Sequence, residues 1–189
     1  PTSHKVYGEA IAILAGDALL TLAFQAAADC GDVQVLREIA RAAGAEGMVG
    51  GQAIDLEGEN LRLGVSELRN LHAKKTGALI RVAVRAGAIS ASANTGQLDA
   101  LTRYGEAIGL AFQIADDILD VVGDQDAIGK PVGSDASHNK STYPAAVGLD
   151  GARKLAADAV AEAVAALEIF GPEADTFRAL ARYIVERDR

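Results

Sequence analysis

The sequence contains no tryptophan, one methionine and one cysteine, and aromatic residues make up only 4% of its 189 residues. A chain with so few large rings and so much alanine is typical of closely packed helices. No segment of convincing length alternates between apolar and polar side chains, so no strand is predicted. Because half of the residues are hydrophobic, the chain can bury a substantial core, and we expect one all-α domain over residues 1–189.

Long uninterrupted hydrophobic runs are also missing. The most apolar stretch, residues 10–28, is interrupted by Asp17, so no membrane span is predicted. The lone cysteine, Cys30, cannot form a disulfide within the chain, which favours a reducing, cytoplasmic compartment. The sequence starts at Pro1 without an initiator methionine or a signal-peptide pattern, and we expect it to be trimmed or incomplete.

Basic residues are outnumbered, with 18 Lys and Arg against 26 Asp and Glu and a formal net charge of −8. This charge argues against a nucleic-acid partner, because phosphate backbones are bound by clustered Lys and Arg. It does not argue against a small phosphorylated ligand, since metal ions can lie between acidic side chains and phosphate groups.

Apolar spacing predicts about eight helices separated by glycine and proline. The predicted helical segments are 5–28, 33–43, 48–56, 66–88, 98–122, 151–167 and 173–187. Ser66 is the expected cap of the fourth segment. Residues 124–144 are rich in Gly and Pro and predict a flexible loop. Loops of this length inside a compact domain are usually functional, for example as an active-site lid.

The sequence Asp-Asp-Ile-Leu-Asp at 116–120 lies within an apolar run. On a helix, Asp116, Asp117 and Asp120 share one stripe, because residues three and four apart are neighbours. Burying uncompensated carboxylates among apolar neighbours costs on the order of a few kcal/mol each. Mg²⁺ prefers hard oxygen ligands and is the predicted compensating ion. The alternative is an acidic stripe on a solvated face, which the apolar flanks disfavour.

Cationic side chains occur at two further places in the sequence. Lys130 and Lys140 lie in the predicted loop, and Lys74 and Lys75 precede Thr76 on a predicted helix. They could balance the aspartates or a phosphorylated ligand, although solvated surface lysines would give the same pattern. The three histidines do not have the spacing of a metal site.

Five segments, in this order and spacing, resemble the trans-polyprenyl diphosphate synthases of the bacterial farnesyl or geranylgeranyl type. They are Gly-Met-Val-Gly-Gly-Gln-Ala-Ile-Asp-Leu (47–56), Lys-Lys-Thr-Gly-Ala-Leu (74–79), Gly-Leu-Ala-Phe-Gln-Ile-Ala-Asp-Asp-Ile-Leu-Asp (109–120), Gly-Lys-Pro-Val-Gly-Ser-Asp (129–135) and Asn-Lys-Ser-Thr-Tyr-Pro (139–144). The resemblance implies an isoprenoid synthase-type helical bundle around a central cavity. It also implies a magnesium-assisted condensation of an allylic diphosphate with isopentenyl diphosphate, with farnesyl diphosphate as the expected product.

The same resemblance implies residue roles. Asp116, Asp117 and Asp120 would bind Mg²⁺, mainly through Asp116. The implied substrate-binding residues are Lys75, Thr76, Gln113, Lys130, Lys140, Gln52 and Asp55, of which the first three would be catalytic. A homodimer formed through the first helices is also implied.

A family member carries another aspartate-rich motif and paired arginines before the segment that matches Pro1–His4. We therefore expect this sequence to hold the C-terminal two thirds of a synthase, without its N-terminal helices, and to be inactive alone. Two hypotheses stay open: a prenyl diphosphate synthase, or a non-catalytic fragment or binding module that keeps a half-site for magnesium and diphosphate. A terpene cyclase would share the cation chemistry, but the Gly-Lys and Asn-Lys pairs of the loop argue against it.

Overall fold

The computed structural model of the chain describes residues 1–59, 61–122 and 141–187. These residues form nine α-helices, one π-helical turn and one 3-10 turn, with no strand among them. The helices are α1 (Ser3–Tyr7), α2 (Glu9–Asp29), α3 (Val33–Ala43), α4 (Met48–Glu57), α5 (Val65–His72), α6 (Ala78–Ser90), α7 (Thr95–Val122), α8 (Tyr143–Ala166) and α9 (Asp175–Glu186). The π-helical turn is Ala73–Gly77 and the 3-10 turn is Pro172–Ala174. The all-α prediction is confirmed.

Helix α7 lies at the centre of the described residues, where it packs against both α6 and α8. Glycines allow α7 to approach the preceding helix closely. A Cβ at Gly105 would lie 2.9 Å from Cα of Arg81, and one at Gly109 would lie 3.0 Å from Cα of Gly77. The backbone of α7 therefore packs directly against the backbone of the π-helical turn and α6.

The larger part of the core joins α7 to α8 and α9. Tyr104, Ala163, Leu167 and Ala181 are fully buried there. The Tyr104 hydroxyl donates a hydrogen bond to the Phe177 carbonyl oxygen at 2.8 Å, and burial raises the pKa of Tyr104 to about 12. The hydroxyl group is thus neutral and paired, as a buried polar group must be for the core to be stable.

Helix α5 begins one residue before the expected cap. Val65 is its first residue, and the Glu67 carboxylate accepts the backbone N–H of Gly64 at 2.7 Å. The prediction of Ser66 as the cap is therefore wrong, because the cap position is Gly64, whose backbone N–H is bound by the Glu67 carboxylate. The predicted helix 66–88 is also divided, since the π-helical turn separates α5 from α6.

Two further boundaries differ from the predictions. Gly8, at φ 83°, separates α1 from α2 within the predicted helix 5–28. Helix α8 begins at Tyr143, so the last two residues of the predicted loop 124–144 are helical, and Gly148, at φ 75°, bends the chain inside this helix. Residues 124–140 of that loop lie outside the described residues.

Helix α2 is predominantly apolar and almost entirely exposed. Its large exposed side chains are Ile11, Ile13, Leu14, Leu19, Leu20 and Leu22. It is the one helix in the described part of the chain that is long and apolar enough to cross a membrane by length and composition. One such helix near the N-terminus is weak evidence for a span, so the absence of a membrane span stays a prediction.

An ion pair joins α3 to α6. Arg85 donates to Glu38 through Nε at 2.6 Å and through Nη2 at 2.7 Å, and its Nη1 donates to Thr102 Oγ1. About a fifth of each charged side chain is exposed, 21% for Arg85 and 22% for Glu38. The hydrogen bond from Arg85 lowers the pKa of Glu38 below its ordinary 4.5.

Glu38→Gln is expected to lower the free energy of unfolding by roughly 1–3 kcal/mol near neutral pH, because it weakens a bidentate charged pair. Since the folded pKa is depressed, the stabilisation by the carboxylate is present above pH 4.5 and is lost as pH falls through the lowered pKa. Urea denaturation of both proteins at about pH 7 and about pH 3 measures this. A difference between the proteins that does not shrink in acid would contradict it. The exposed Glu46→Gln is the control, with an expected effect below about 0.5 kcal/mol.

Candidate functional site

Four of the predicted site residues form two side-chain contacts. Lys75 Nζ donates to Asp55 Oδ2 at 2.6 Å, and the Thr76 hydroxyl donates to Gln113 Oε1 at 2.9 Å. Lys75 and Thr76 are adjacent in the π-helical turn, whereas Asp55 belongs to α4 and Gln113 to α7. The turn therefore links two helices that lie far apart in sequence.

The geometry of the turn explains why two neighbouring residues reach different helices. Adjacent side chains of a helical turn point in different directions, so Lys75 contacts α4 while Thr76 contacts α7. Single π-helical turns inside α-helices frequently occur at functional sites. Here the turn holds an ammonium group and a hydroxyl group side by side.

Gly51 allows α4 to approach the backbone of this turn. A Cβ at Gly51 would lie 2.2 Å from the backbone nitrogen of Lys75 and 2.5 Å from its Cα. Asp55 follows Gly51 by one helical turn and lies on the same face of α4. One face of α4 therefore contacts both the backbone and the ammonium group of Lys75.

The aspartates follow Gln113 along α7. Asp117 is 4% exposed and Asp120 is 6% exposed, while Asp116 is partly buried. The acidic stripe is therefore not a solvated helix face, as the apolar flanks predict. Asp117 Oδ2 accepts the backbone N–H of Tyr143 at 2.9 Å, which connects the stripe to the start of α8.

The carboxylates of α7 are suitable ligands for magnesium. Within residues 1–59, 61–122 and 141–187, no three Asp, Glu, His or Cys side chains form a group that could hold a metal ion. Mg²⁺ commonly takes only one or two carboxylates and completes its shell with water and phosphate oxygens. Asp116 and Asp120 lie about 40° apart around the helix and can supply such a pair. The residues present thus fit an ion that is bound together with a phosphorylated ligand.

Sequence reasoning missed the junction before α8. Ser141 Oγ accepts the backbone N–H of Leu63 at 2.9 Å and donates to the Leu61 carbonyl oxygen at 2.7 Å. Thr142 Oγ1 accepts the backbone N–H of Ala145 at 3.3 Å as the cap of α8. A threonine two residues before a proline is a helix-start signal, and it would have ended the predicted loop at 142.

The remaining predicted residues are placed as follows. Gln52 is exposed on α4, one residue after Gly51. Lys130 and Lys140 lie outside the described residues. The role predicted for each of these three residues stays a prediction.

Comparison with known proteins identifies the family. A polyprenyl synthetase family model matches residues 1–169. The farnesyl diphosphate synthase of Geobacillus stearothermophilus is 50% identical over 162 residues, which cover 82% of this chain and 54% of that protein. The Escherichia coli farnesyl diphosphate synthase is 47% identical over 201 residues, which cover 100% of this chain and 67% of that protein.

Solved structures agree with this relationship. A Caulobacter crescentus polyprenyl synthase, crystallised with calcium and isoprenyl diphosphate, matches with a TM-score of 0.90 and 27% identity. The match covers 98% of this chain and 69% of that one. The chain therefore belongs to the polyprenyl synthetase family and has the helical isoprenoid synthase fold. It spans about half to two thirds of the length of the two farnesyl diphosphate synthases.

Gly51→Ala is expected to lower the free energy of unfolding by roughly 1–3 kcal/mol, because its Cβ would overlap the Lys75 backbone. Gly87→Ala in α6 is the matched control, since a Cβ there would meet nothing within 4 Å. The control is expected to gain roughly 0.5–1 kcal/mol from helix propensity. Urea denaturation distinguishes the two substitutions, and equal effects would contradict the close approach of α4 to the turn.

Proposed function

We propose that the protein acts as a short-chain prenyl diphosphate synthase that condenses an allylic diphosphate with isopentenyl diphosphate, giving farnesyl diphosphate. The observation that carries this proposal is the π-helical turn, which holds Lys75 against Asp55 and Thr76 against Gln113. Gln113 lies about one helical turn before the aspartates of α7. Membership of the polyprenyl synthetase family supports the reaction class. The same proposal treats residues 1–189 as part of one helical domain and places the protein in the cytoplasm.

The first chemical step would be ionisation of the allylic carbon–oxygen bond, which leaves an allylic cation and a diphosphate anion. Lys75 carries a positive charge fixed by Asp55 and would stabilise the charge that develops on the diphosphate. Asp116 and Asp120 would hold Mg²⁺, which when bound neutralises diphosphate charge as a Lewis acid. Lys130 and Lys140 are proposed to contact the same diphosphate.

The second step would need a partner for the cation and a place for a proton. The Thr76 hydroxyl donates its proton to Gln113, so its oxygen lone pairs stay available to a developing positive charge. The double bond of isopentenyl diphosphate would attack the cation and form the new carbon–carbon bond. The proton then lost from the new chain would pass to the departed diphosphate, so no protein nucleophile is required.

A non-catalytic module that binds magnesium and diphosphate is the second candidate. The observation in its favour is that the aspartates of α7 and the Lys75–Asp55 pair would suit the binding of magnesium and diphosphate without turnover. We prefer the enzyme because the Thr76–Gln113 contact orients a hydroxyl oxygen that diphosphate binding alone would not require.

A magnesium ligand and an unrelated aspartate of the same helix should behave differently. In the intact protein, Asp116→Ala is expected to lower kcat by roughly 10²–10³-fold, because it removes charge stabilisation that is strongest in the transition state. Far-UV circular dichroism should show an unchanged helix content. Asp99→Ala, an exposed position near the start of α7, is the control and should retain full kcat. Unchanged turnover of the Asp116 variant at saturating magnesium would refute the assignment.

We also propose a homodimer in which a second copy covers α2. Its exposed leucine and isoleucine side chains form the kind of apolar surface that marks an interaction site. Obligate dimer interfaces are hydrophobic and large, and an apolar helix of 21 residues suits them.

Sedimentation of the intact protein tests this assembly. The wild type is expected to sediment as a dimer, and Leu14→Glu with Leu19→Glu should dissociate it, because two carboxylates would have to lose their water at the interface. Tyr183→Glu, at a position that is 60% exposed on α9, is the control and should remain dimeric. A stable wild-type monomer would reject the proposal.

A further inference from the structure

We propose that Asp117 anchors the amino end of α8 and is not a magnesium ligand. The aspartate motif would then divide into a metal-binding pair, Asp116 and Asp120, and one structural carboxylate. The identity of the metal-bound ligand rests on the proposed function, whereas the anchoring role of Asp117 rests on the contacts of α7 and α8 alone.

Helix geometry separates the three side chains by direction. Asp116 and Asp117 are adjacent and point about 100° apart, whereas Asp120 is about 40° from Asp116 and about 60° from Asp117. One ion can be reached by the pair that is 40° apart without distortion of the helix. Asp116 is also the most accessible of the three, while Asp117 is 4% exposed. Burial therefore favours Asp116 as the ligand, whereas Asp120, which is 6% exposed, is distinguished from Asp117 by its direction and by the hydrogen bond that Asp117 makes.

The Asp117 carboxylate already accepts a structural hydrogen bond. Its Oδ2 accepts the backbone N–H of Tyr143, the first residue of α8, at 2.9 Å. A carboxylate that accepts a backbone N–H at a helix N-terminus is favoured twice, by the hydrogen bond and by the helix dipole. An Oδ2 committed to this bond has less capacity for a metal ion.

The partners of the first backbone N–H groups of α8 show why the Asp117–Tyr143 hydrogen bond is needed. The first N–H groups of a helix have no partner within the helix. Ala145 N–H is satisfied by the Thr142 side chain, Ala146 N–H by the Thr142 carbonyl oxygen, and Pro144 has no N–H. The N–H of Tyr143 is the remaining donor, and Asp117 is its acceptor. Without Asp117, a buried backbone donor would lose its partner.

The Asp117–Tyr143 hydrogen bond lies next to a buried cluster of side chains from three helices. The Tyr143 ring is 1% exposed and belongs to a buried cluster with Leu68 of α5, Ile114 of α7 and Ala152 of α8. The hydrogen bond to Asp117 therefore lies where three helices meet. A displaced α8 terminus would be transmitted to α7 at the residue next to Asp116.

The experiment compares Asp117→Asn and Asp117→Ala with Asp116→Asn in the intact protein. Asn keeps an oxygen that can accept the Tyr143 N–H but loses the charge that a magnesium ligand supplies. We expect Asp117→Ala to lower Tm by about 5–10 °C in metal-free buffer, from the loss of a buried charge-assisted hydrogen bond. Asp117→Asn should recover most of this loss, and Asp116→Asn should leave Tm within about 2 °C of the wild type.

Catalysis supplies the second measurement. At about 20 °C, below every Tm, Asp117→Ala should lower kcat while the magnesium concentration for half-maximal activity stays within about threefold of the wild type. Asp117→Asn should restore kcat. Asp116→Asn should instead raise the magnesium requirement by about tenfold or more. A tenfold higher magnesium requirement in Asp117→Asn would overturn the proposal, and so would an unchanged Tm in Asp117→Ala.

Removal of the Tyr143 hydroxyl shows whether the backbone N–H or the side chain of residue 143 is responsible for the anchor. The Tyr143 Oη is buried and makes no hydrogen bond within the described residues. Tyr143→Phe keeps the ring and the backbone N–H, so its Tm should equal or exceed that of the wild type. A Tm loss as large as that of Asp117→Ala would overturn the assignment of the anchor to the backbone. The Tm measurements do not require enzyme activity, so they still test the anchoring role of Asp117 if the proposed condensation is not detected.

Discussion

The direct packing of helix backbones around the π-helical turn is the constraint on which the rest of this structure depends. Gly51 of α4 and Gly109 of α7 each bring a helix against Ala73–Gly77, with no room for a Cβ at Gly51 and a tight 3.0 Å contact at Gly109. This packing brings Asp55 to Lys75 and Gln113 to Thr76. A larger side chain at either glycine would move the polar groups of the site along with the backbone, because they are carried by the same helix faces.

Two charges of the site are held by specific partners within the described residues. Lys75 is paired with Asp55, and the carboxylate of Asp117 accepts the first N–H of α8. Fixed charges and dipoles of this kind cost little reorganisation when a charged ligand binds, which is the basis of electrostatic preorganisation. An acidic chain with a net charge of −8 can thus present a local site for an anion, provided that the cations are positioned before the ligand arrives.

Much of this fold is predictable from the sequence, because the signals that begin and end its helices lie in neighbouring residues. The apolar spacing of 33–43 and 48–56 gives the helices α3 and α4 to within a residue, because glycines delimit both. The π-helical turn is not predictable in this way, since it arises from contacts with α4 and α7 that are distant in sequence. For the same reason, the spacing of the aspartates indicates a shared stripe but not that Asp117 accepts an N–H from residue 143. The pairing of Lys75 with Asp55 likewise depends on tertiary approach, although the residue types were suggested by family resemblance.

Helix α2 has a consequence for how the protein would behave in solution. Most of its side chains are apolar, and the described residues bury very little of them. In the proposed dimer, the second copy that covers this helix contributes to the free energy of the native state, so association and folding become one linked equilibrium. The melting temperature would then rise with protein concentration, and dilution alone would shift the population towards dissociated and unfolded chains. In the proposed dimer, stability is therefore a property of the assembly and of the concentration at which it is measured.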